Sequence, residues 1–483
     1  MSRECVVGLD VGTQGARALA VDAAGRVLAA ASQRLPERAG PPLPPGWSEQ
    51  EVDSWWEAAR ACLQQVGAQV APERMVAIAV TATSGTVVPV DAAGRALRPA
   101  LMYNDARAVE EAAQVQEAGR ALAAKLGYAF QAPFALPRLL WIRIHEPELF
   151  ERTACFLHAA DYLVLRLTGE LGLSDSSNAL KTGYDLLELC WGKWIERDLG
   201  IPLAKLPRVT APGTRIGAVS AAAARETGLS PGLAVAAGAT DGTAAFLASG
   251  AIAPGEWNAT LGTTLVVRGV SRDLVRDPAG RIYCHRHPEG YWLPGGASST
   301  GGEWLERRFA GADWPALDRQ ALALSPTPLT VYPLARRGER LPFVAPAAEG
   351  FIEAPAGTET GALYAAHLEG TACLERWVFE VMESLGVPVG PRIHVTGGAA
   401  RSREWLQIRA DLLGRTLVRP QVVEAAFGAA LLAAAGTLHS SLSAAVRAMV
   451  HPECAVEPRP ALRDAYEALY ARFREACARR GYG

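Results

Sequence analysis

The sequence predicts an α/β protein of two duplicated domains with a cleft between them, and three observations carry that expectation. At 483 residues the chain exceeds what one hydrophobic core usually serves, so two domains of roughly 200 residues or more are expected. An apolar strand pattern broken by a Gly-Thr turn and followed by helical periodicity opens the chain, and the same succession returns after Pro231. DVGTQGARALAV near the start and ATLGTTLVVRGV past the midpoint share a polar strand end, a Gly-Thr turn and an outgoing apolar strand, the pattern of two related halves.

The elements follow in order. Cys5 to Asp10 is an apolar run ending in an acid, Gly12-Thr13-Gln14-Gly15 a turn, and Arg17 to Val21 and Val27 to Ala31 two further strands, so the chain begins as an antiparallel meander. GPPLPPG from Gly40 to Gly46 is a stiff extended connector. A helix is expected over Val52 to Gln69 and a buried strand over Val76 to Val80. Leu233 to Ala237 is a strand ending at Gly238-Ala239-Thr240-Asp241-Gly242, with a helix from Thr243 to Ser249. Trp257 to Val267 gives strand, turn and strand, and Ile393 to Thr396 leads through Gly397-Gly398-Ala399-Ala400 into a helix from about Ser402 to Leu413. Leu334 to Pro346 is expected as a surface loop, and Pro460 to Arg480 as a helix packing back on the first domain. The expected division is 1–245, 246–455 and the C-terminal segment 456–483.

Composition excludes several classes. Hydrophobic residues make up 49% and charged residues 20%, too apolar for global disorder. Net charge is −2 with no basic stripe, so no nucleic-acid partner is expected. The eight cysteines form no C-x-x-C pair, which fits reduced thiols in a cytoplasm. The N-terminus enters a strand at once, leaving no room for a signal peptide. The apolar run Ala425 to Ala435 falls short of the roughly 20 residues that cross a membrane, and reads as a buried helix.

Phosphate needs several converging donors, and a tight Gly-Thr hairpin supplies backbone N–H groups and a hydroxyl with no Cβ in the way. Gly12, Thr13 and Gly15 form one such candidate and Gly262, Thr263 and Thr264 a second; each is also an ordinary β-turn. An acid just before a phosphate hairpin, as Asp10 is, repels phosphate unless a divalent cation intervenes, which suggests Mg²⁺, or else caps the turn. Asp241 ends a strand at a helix start, where it either accepts a hydroxyl proton during phosphoryl transfer or caps the helix. Gly397-Gly398 offers bare backbone to a flat ring such as adenine. The sequence holds no G-x-x-x-x-G-K-[ST], no H-R-D with D-F-G and no H-E-x-x-H. His285-Arg286-His287 reads as a solvated strand or turn.

Taken together, GLDVGTQGARALAVDAAG, PGWSEQEVDSWW, RPALMYNDAR, DYLVLRLTGE, the Asp241-Gly242 strand end, TLGTT from Thr260 and TGGAARSREWLQIRADLLG resemble, in that order and over nearly the whole chain, the FGGY family of carbohydrate kinases. That resemblance implies the actin-like ATPase (ribonuclease H-like) fold, a sugar-binding first domain and an ATP-binding second. It implies Asp241 as general base, with Asp10 near Mg²⁺ and sugar, and Ser84, Asn104 and Asp105 beside the sugar, with Trp47 and Arg107 nearby. It further implies Gly12, Thr13, Gln14, Gly262, Thr263, Thr264, Gly397, Gly398, Ala399 and Ser402 around ATP. TSGT around Ser84 replaces the Met-His-Gly of typical xylulokinases and is similar to the D-ribulose kinase branch. Ala399 stands where many members have a third glycine, and Arg138 where the signature has lysine. The expectation is a cytoplasmic D-ribulose kinase, monomer or homodimer, with D-xylulose as the alternative acceptor. A chaperone- or actin-like ATPase switch without a sugar is the rival from another class.

Overall fold

The computed structural model describes residues 4–37 and 41–483, so Gly40 of the expected connector and the first three residues lie outside the described ones. The chain divides into two compact units, one of Met1–Gly250 with His285–Gly290 and Val422–His451, the other of Ala251–Cys284 with Tyr291–Gln421 and Pro452–Gly483. This differs from the expected division at three places, the first being that His285–Gly290 joins the first unit. Val422–His451 leaves the second sequence half to join the first unit, and the C-terminal helix stays with the second.

The first unit is organised around β1 (Cys5–Val11), β2 (Gly15–Asp22), β3 (Val27–Arg34), β4 (Met75–Ala82), β5 (Arg215–Ala218) and β6 (Ala234–Thr240). Their order is β5-β6-β4-β1-β2-β3, with β1, β4 and β6 parallel. Both faces of β1 are covered, so its sequence is an almost unbroken apolar run. Side chains alternate between faces. Val7, Leu9 and Val11 enter a core with α1 (Val52–Gln69), whose Val52, Trp55, Trp56, Ala59, Cys62, Leu63 and Val66 repeat at helical spacing. Gly8 and Asp10 point the other way, toward the helix Ala425–Ala434. That helix lies so close that a Cβ on Gly8 would stand 1.8 Å from Ala426 O. Three further helices matter below: α2 (Ala135–His145), α3 (Ala159–Thr168) and the short α4 (Ser176–Ala179). After β6 comes α5 (Asp241–Ala248).

The second unit repeats this plan. Its strands are β7 (Trp257–Leu261), β8 (Leu265–Gly269), β9 (Tyr283–Arg286), β10 (Trp292–Ala297), β11 (Arg392–Thr396), β12 (Thr416–Pro420) and β13 (Pro452–Val456), in the order β9-β10-β8-β7-β11-β12-β13. A meander β7-β8-β10 stands beside parallel β7, β11 and β12, and an antiparallel strand closes the edge. In the first unit β1-β2-β3, then β4 and β6, then β5 occupy the same places. The duplication expected from two short strings is therefore a duplication of whole sheets.

The helices of this unit are α6 (Trp314–Leu324), α7 (Thr360–Ser384), α8 (Arg403–Leu413) and α9 (Arg463–Ala478). A fully buried bidentate pair, Arg409 to Glu375, ties α8 to α7 at 2.7 and 2.8 Å. The last helix, expected to pack back on the first domain, belongs to the second unit. The buried stripe Tyr466, Leu469, Tyr470 and Phe473 holds α9 in the second unit, where Tyr470 OH donates to Glu380 Oε2 at 2.6 Å and Arg474 stacks 3.8 Å over Trp377. The expected loop Leu334 to Pro346 is only partly at the surface. Buried Glu339 within it accepts from Ser298, Thr300 and Tyr332. His285 and His287, expected in solvent, are buried, and desolvation pulls His287 down to about 4.

Candidate active site

In an α/β sheet, ligands collect beyond the carboxyl ends of the parallel strands, and two carboxylates of the first unit stand there. Asp10 is the penultimate residue of β1. Asp241 is the first helical residue after β6, with Thr240 at the cap position, so of the two sequence readings the simple helix cap is not what the structure shows. Its carboxylate instead accepts from Gly242 N–H at 2.6 Å. Only β4 separates the two strands, and its Thr81 donates to Ala239 O at 2.7 Å. Burial pushes the Asp10 carboxyl up to about 7, the charge of Asp241 adds to the rise, and Arg17 opposes it. Asp10 Oδ1 is buried with no hydrogen-bond partner.

Ser84 follows β4 in a tight loop. Its Oγ is also buried and unpartnered, while its carbonyl lies 3.5 Å from Lys181 Nζ. Nothing in the sequence singles out Lys181. Buried donors and acceptors normally find partners, so two orphaned oxygens, one at the end of β1 and one just beyond the adjacent β4, mark a place built for a polar ligand.

The segment RPALMYNDAR is held from below. Asn104 is exposed, but Asp105 is fully buried, and its carboxylate accepts from Ser48 N–H (2.7 Å), Arg107 N–H (3.0 Å) and the Arg107 guanidinium (2.9 and 2.8 Å). The expectation that Asp105 touches sugar is therefore corrected. Its lone pairs are spent on Arg107, which stacks 3.7 Å over the ring of Trp47. Arg138 of α2 gathers the carbonyls of Leu101, Met102, Tyr103 and Pro133. Its departure from the expected lysine thus has a use, since a planar fork reaches carbonyls that a single ammonium cannot. Desolvation lowers it to about 10, which leaves it charged at neutral pH.

The hairpin after β1 closes through Gly12 N–H to Gly15 O at 3.0 Å, and Gln50 Nε2 holds Thr13 O at 2.7 Å. Gln14 is exposed at its tip. The matching hairpin in the second unit closes through Gly262 N–H to Thr264 O at 3.1 Å. At the position matching Asp10 the second sheet has Thr260, whose Oγ1 lies 2.7 Å from Thr396 Oγ1. The duplicated sheet therefore carries no second carboxylate at that place.

Gly262, Thr263, Gly398, Ala399 and Ser402 line one cavity of about 610 Å³ in the second unit. Thr264 and Gly397 are not in its wall. Gly397 sits behind it at φ +89°, where a Cβ would lie 2.4 Å from Leu261 O, whereas a Cβ on Gly398 would meet nothing within 4 Å. Ser402 caps α8 by accepting from Trp405 N–H at 3.0 Å. Trp314, Asp318, Tyr364 and Trp405 also line it, with Tyr364 OH donating to Asp318 Oδ1 at 2.7 Å. The sequence reading missed Trp314, Asp318 and Tyr364. Trp314 and Asp318 share one helix and Tyr364 comes from the next, and no local pattern marks them as lining a nucleotide site.

Among the described residues no helix is long and apolar enough to cross a membrane, and no group of three or more His, Cys, Asp or Glu is placed to hold a metal. The N-terminal domain description of the FGGY family of carbohydrate kinases matches residues 5–248, and the C-terminal one residues 257–437. The xylulose kinase of Streptomyces rubiginosus is 31% identical over 91% of this chain and 89% of its own, and that of Escherichia coli K12 28% identical over 85% of each. The crystal structure of xylulose kinase from Rhodospirillum rubrum superposes with a TM-score of 0.87 at 30% identity, covering 98% of both chains. Two sheets of one plan, an acid at the end of the first strand and a match over both halves lead to one statement: the chain belongs to the FGGY family of carbohydrate kinases, phosphotransferases acting on sugar hydroxyl groups, with the actin-like ATPase fold.

Proposed function

We propose that the protein transfers the γ-phosphoryl group of ATP to a hydroxyl of a ketopentose, with Asp241 as general base. The observation that carries this reading is the pair Asp10, near the end of β1, and Asp241, just past the end of β6, on parallel strands separated only by β4 and close enough for one charge to perturb the other. Asp241 takes the proton of the attacking hydroxyl. Its Gly242 N–H contact fixes the carboxylate on the helix start. Ser84 Oγ, buried without a partner, is assigned to a sugar oxygen, and exposed Asn104 to the sugar's outer edge. Asp105 serves by holding Arg107 against Trp47. The first unit is the sugar-binding one and the second the ATP-binding one.

Adenosine is assigned to the cavity beside Gly398, Ala399 and Ser402, and in each unit the hairpin after the first strand, Gly12–Gln14 in one and Gly262–Thr264 in the other, is a candidate for phosphate. The donor set of Asp10 fits a hard divalent cation: an orphaned buried oxygen, beside a second carboxylate, in front of a phosphate hairpin. When bound, Mg²⁺ supplies charge neutralisation for the transferring phosphoryl group.

Two ketopentoses compete. Curated relatives and a solved structure similar to this chain are named xylulose kinases, which supports xylulose as acceptor. The Ser84 segment supports D-ribulose, and it is the narrower ground of the two. Family membership displaces the ATPase-switch reading. A coupled ADP-release assay over D-xylulose, L-xylulose, D-ribulose, glycerol and a hexulose tests the proposal. Turnover with a ketopentose is expected, and turnover confined to glycerol or the hexulose would sink it.

A further inference from the structure

We propose that Ser177 is a positioning residue for phosphoryl transfer, its hydroxyl fixing the start of α5 and through it the Asp241 carboxylate. The proposal rests on the Asp241 reading above. Thr240 occupies the cap position of α5, where a threonine hydroxyl ordinarily accepts a first-turn backbone N–H. Here it makes no such bond. Its Oγ1 is instead 2.9 Å from Ser177 Oγ and 3.0 Å from Thr243 Oγ1, and Ser177 Oγ is 3.0 Å from Thr243 Oγ1. Thr240 N–H also donates to Ser177 Oγ at 3.2 Å. The three hydroxyls are almost wholly buried and lie within hydrogen-bond distance of one another, the kind of cluster in which buried polar groups find partners.

This arrangement has a consequence for Asp241. With the threonine hydroxyl engaged by the hydroxyls of Ser177 and Thr243 instead of a backbone N–H, the Gly242 N–H is taken by Asp241's own carboxylate. The carboxylate is thereby aimed by the α5 backbone, and the backbone is pinned by Ser177 from another element. Ser177 is itself held rigidly. Buried Asp175 caps α4 by accepting from Ser177 N–H (2.8 Å) and Asn178 N–H (3.0 Å), and Asn178 Nδ2 adds a third bond at 2.7 Å. A local rule broken at a functional site, with the compensation visible elsewhere, is the usual mark of positioning.

Ser177→Ala removes one hydroxyl and adds no volume. In the full chain assayed with its ketopentose and ATP, kcat should fall about 10- to 100-fold, the order expected when a reacting group shifts by up to about an ångström. KM for both substrates should stay within roughly 3-fold, and amide exchange at Gly242 and Thr243 should accelerate, a change that loss of general stability would spread over the whole unit. In an Asp241→Ala background the same substitution should lower the residual rate by no more than about 2-fold, because the two act as one. A folded Ser177→Ala protein with wild-type kcat, or one whose loss multiplies fully with that of Asp241→Ala, overturns the proposal. Should Ser177→Ala not fold, Thr243→Val removes the third hydroxyl at similar shape and decides by the same readouts. Near-normal turnover of Asp241→Ala would end the general-base reading itself. An inactive Asp241→Ala beside a normal Ser177→Ala would end only the positioning.

Discussion

Asp10, near the end of β1, and Asp241, just past the end of β6, belong to strands separated only by β4, and the charge of Asp241 is the second cause, after burial, of the rise of the Asp10 carboxyl to about 7. Like charges held in proximity oppose folding, and a phosphoryl-transfer site accepts that strain because substrate and cation relieve it.

The rise sets a pH dependence with a definite sign. The folded pKa of Asp10 is above its unfolded value of 3.8, so between about pH 4 and pH 7 the folded state binds more protons than the unfolded one. Stability therefore falls as pH rises through that window. Asp10→Asn abolishes this slope. In EDTA, the variant should exceed the wild type in stability at about pH 8 by on the order of 3 kcal/mol, with the gap closing toward about pH 4, while its kinase activity is lost. Thermal unfolding of both proteins across that range measures it, and a pH-independent gap would refute it.

Ser84 supplies a second test. Its buried Oγ has no partner, and an unsatisfied buried hydroxyl costs about 1 to 3 kcal/mol. Ser84→Ala should therefore leave the melting temperature unchanged or raised, while KM for the ketopentose rises by about 10-fold. A fall in stability with unchanged KM would show that Ser84 is structural.

Much of this site was legible beforehand because its signals are local. Asp10 and Asp241 each end an apolar run before a turn or a helix, and both helix limits at Gln69 and Leu413 follow from periodicity, the second with glycine beyond it. What was not legible depends on distant partners. The run Ala425–Ala434 is apolar all round and reads correctly as buried, but such a helix has no face to say which core it enters. It joins the first unit. Asp105 carries the same letter as Asp10 and Asp241, yet Arg107 and Ser48 consume its lone pairs. Trp314, Asp318 and Tyr364 meet only because α6 and α7 pack together.

Arg138 links α2 to the segment bearing Asn104. Replacing it by methionine leaves four carbonyls without their donor, and should destabilise the protein by roughly 3 kcal/mol or more. Arg138→Lys should cost less, since one ammonium can satisfy at most three carbonyls and cannot span the fork. Urea unfolding ranks the three proteins. Equal midpoints for wild type and methionine variant would remove Arg138 from this role.

The glycine pair before α8 separates structure from ligand binding within two adjacent positions. Gly397 has φ +89°, and a Cβ there would lie 2.4 Å from Leu261 O and 3.0 Å from Leu261 N, both backbone atoms. Gly397→Ala must therefore shift β7 or break, and a loss of about 3 kcal/mol or more is expected. Gly398 lines the cavity, has an unstrained φ, and offers a Cβ open space. Gly398→Ala should fold with near wild-type stability, yet raise KM for ATP by about 10-fold and leave that for the sugar unchanged, because the new methyl takes up room that the nucleotide would fill. Unfolding curves and two-substrate kinetics on the pair decide the matter: a Gly398→Ala protein with normal ATP dependence would mean that adenosine does not lie in this cavity.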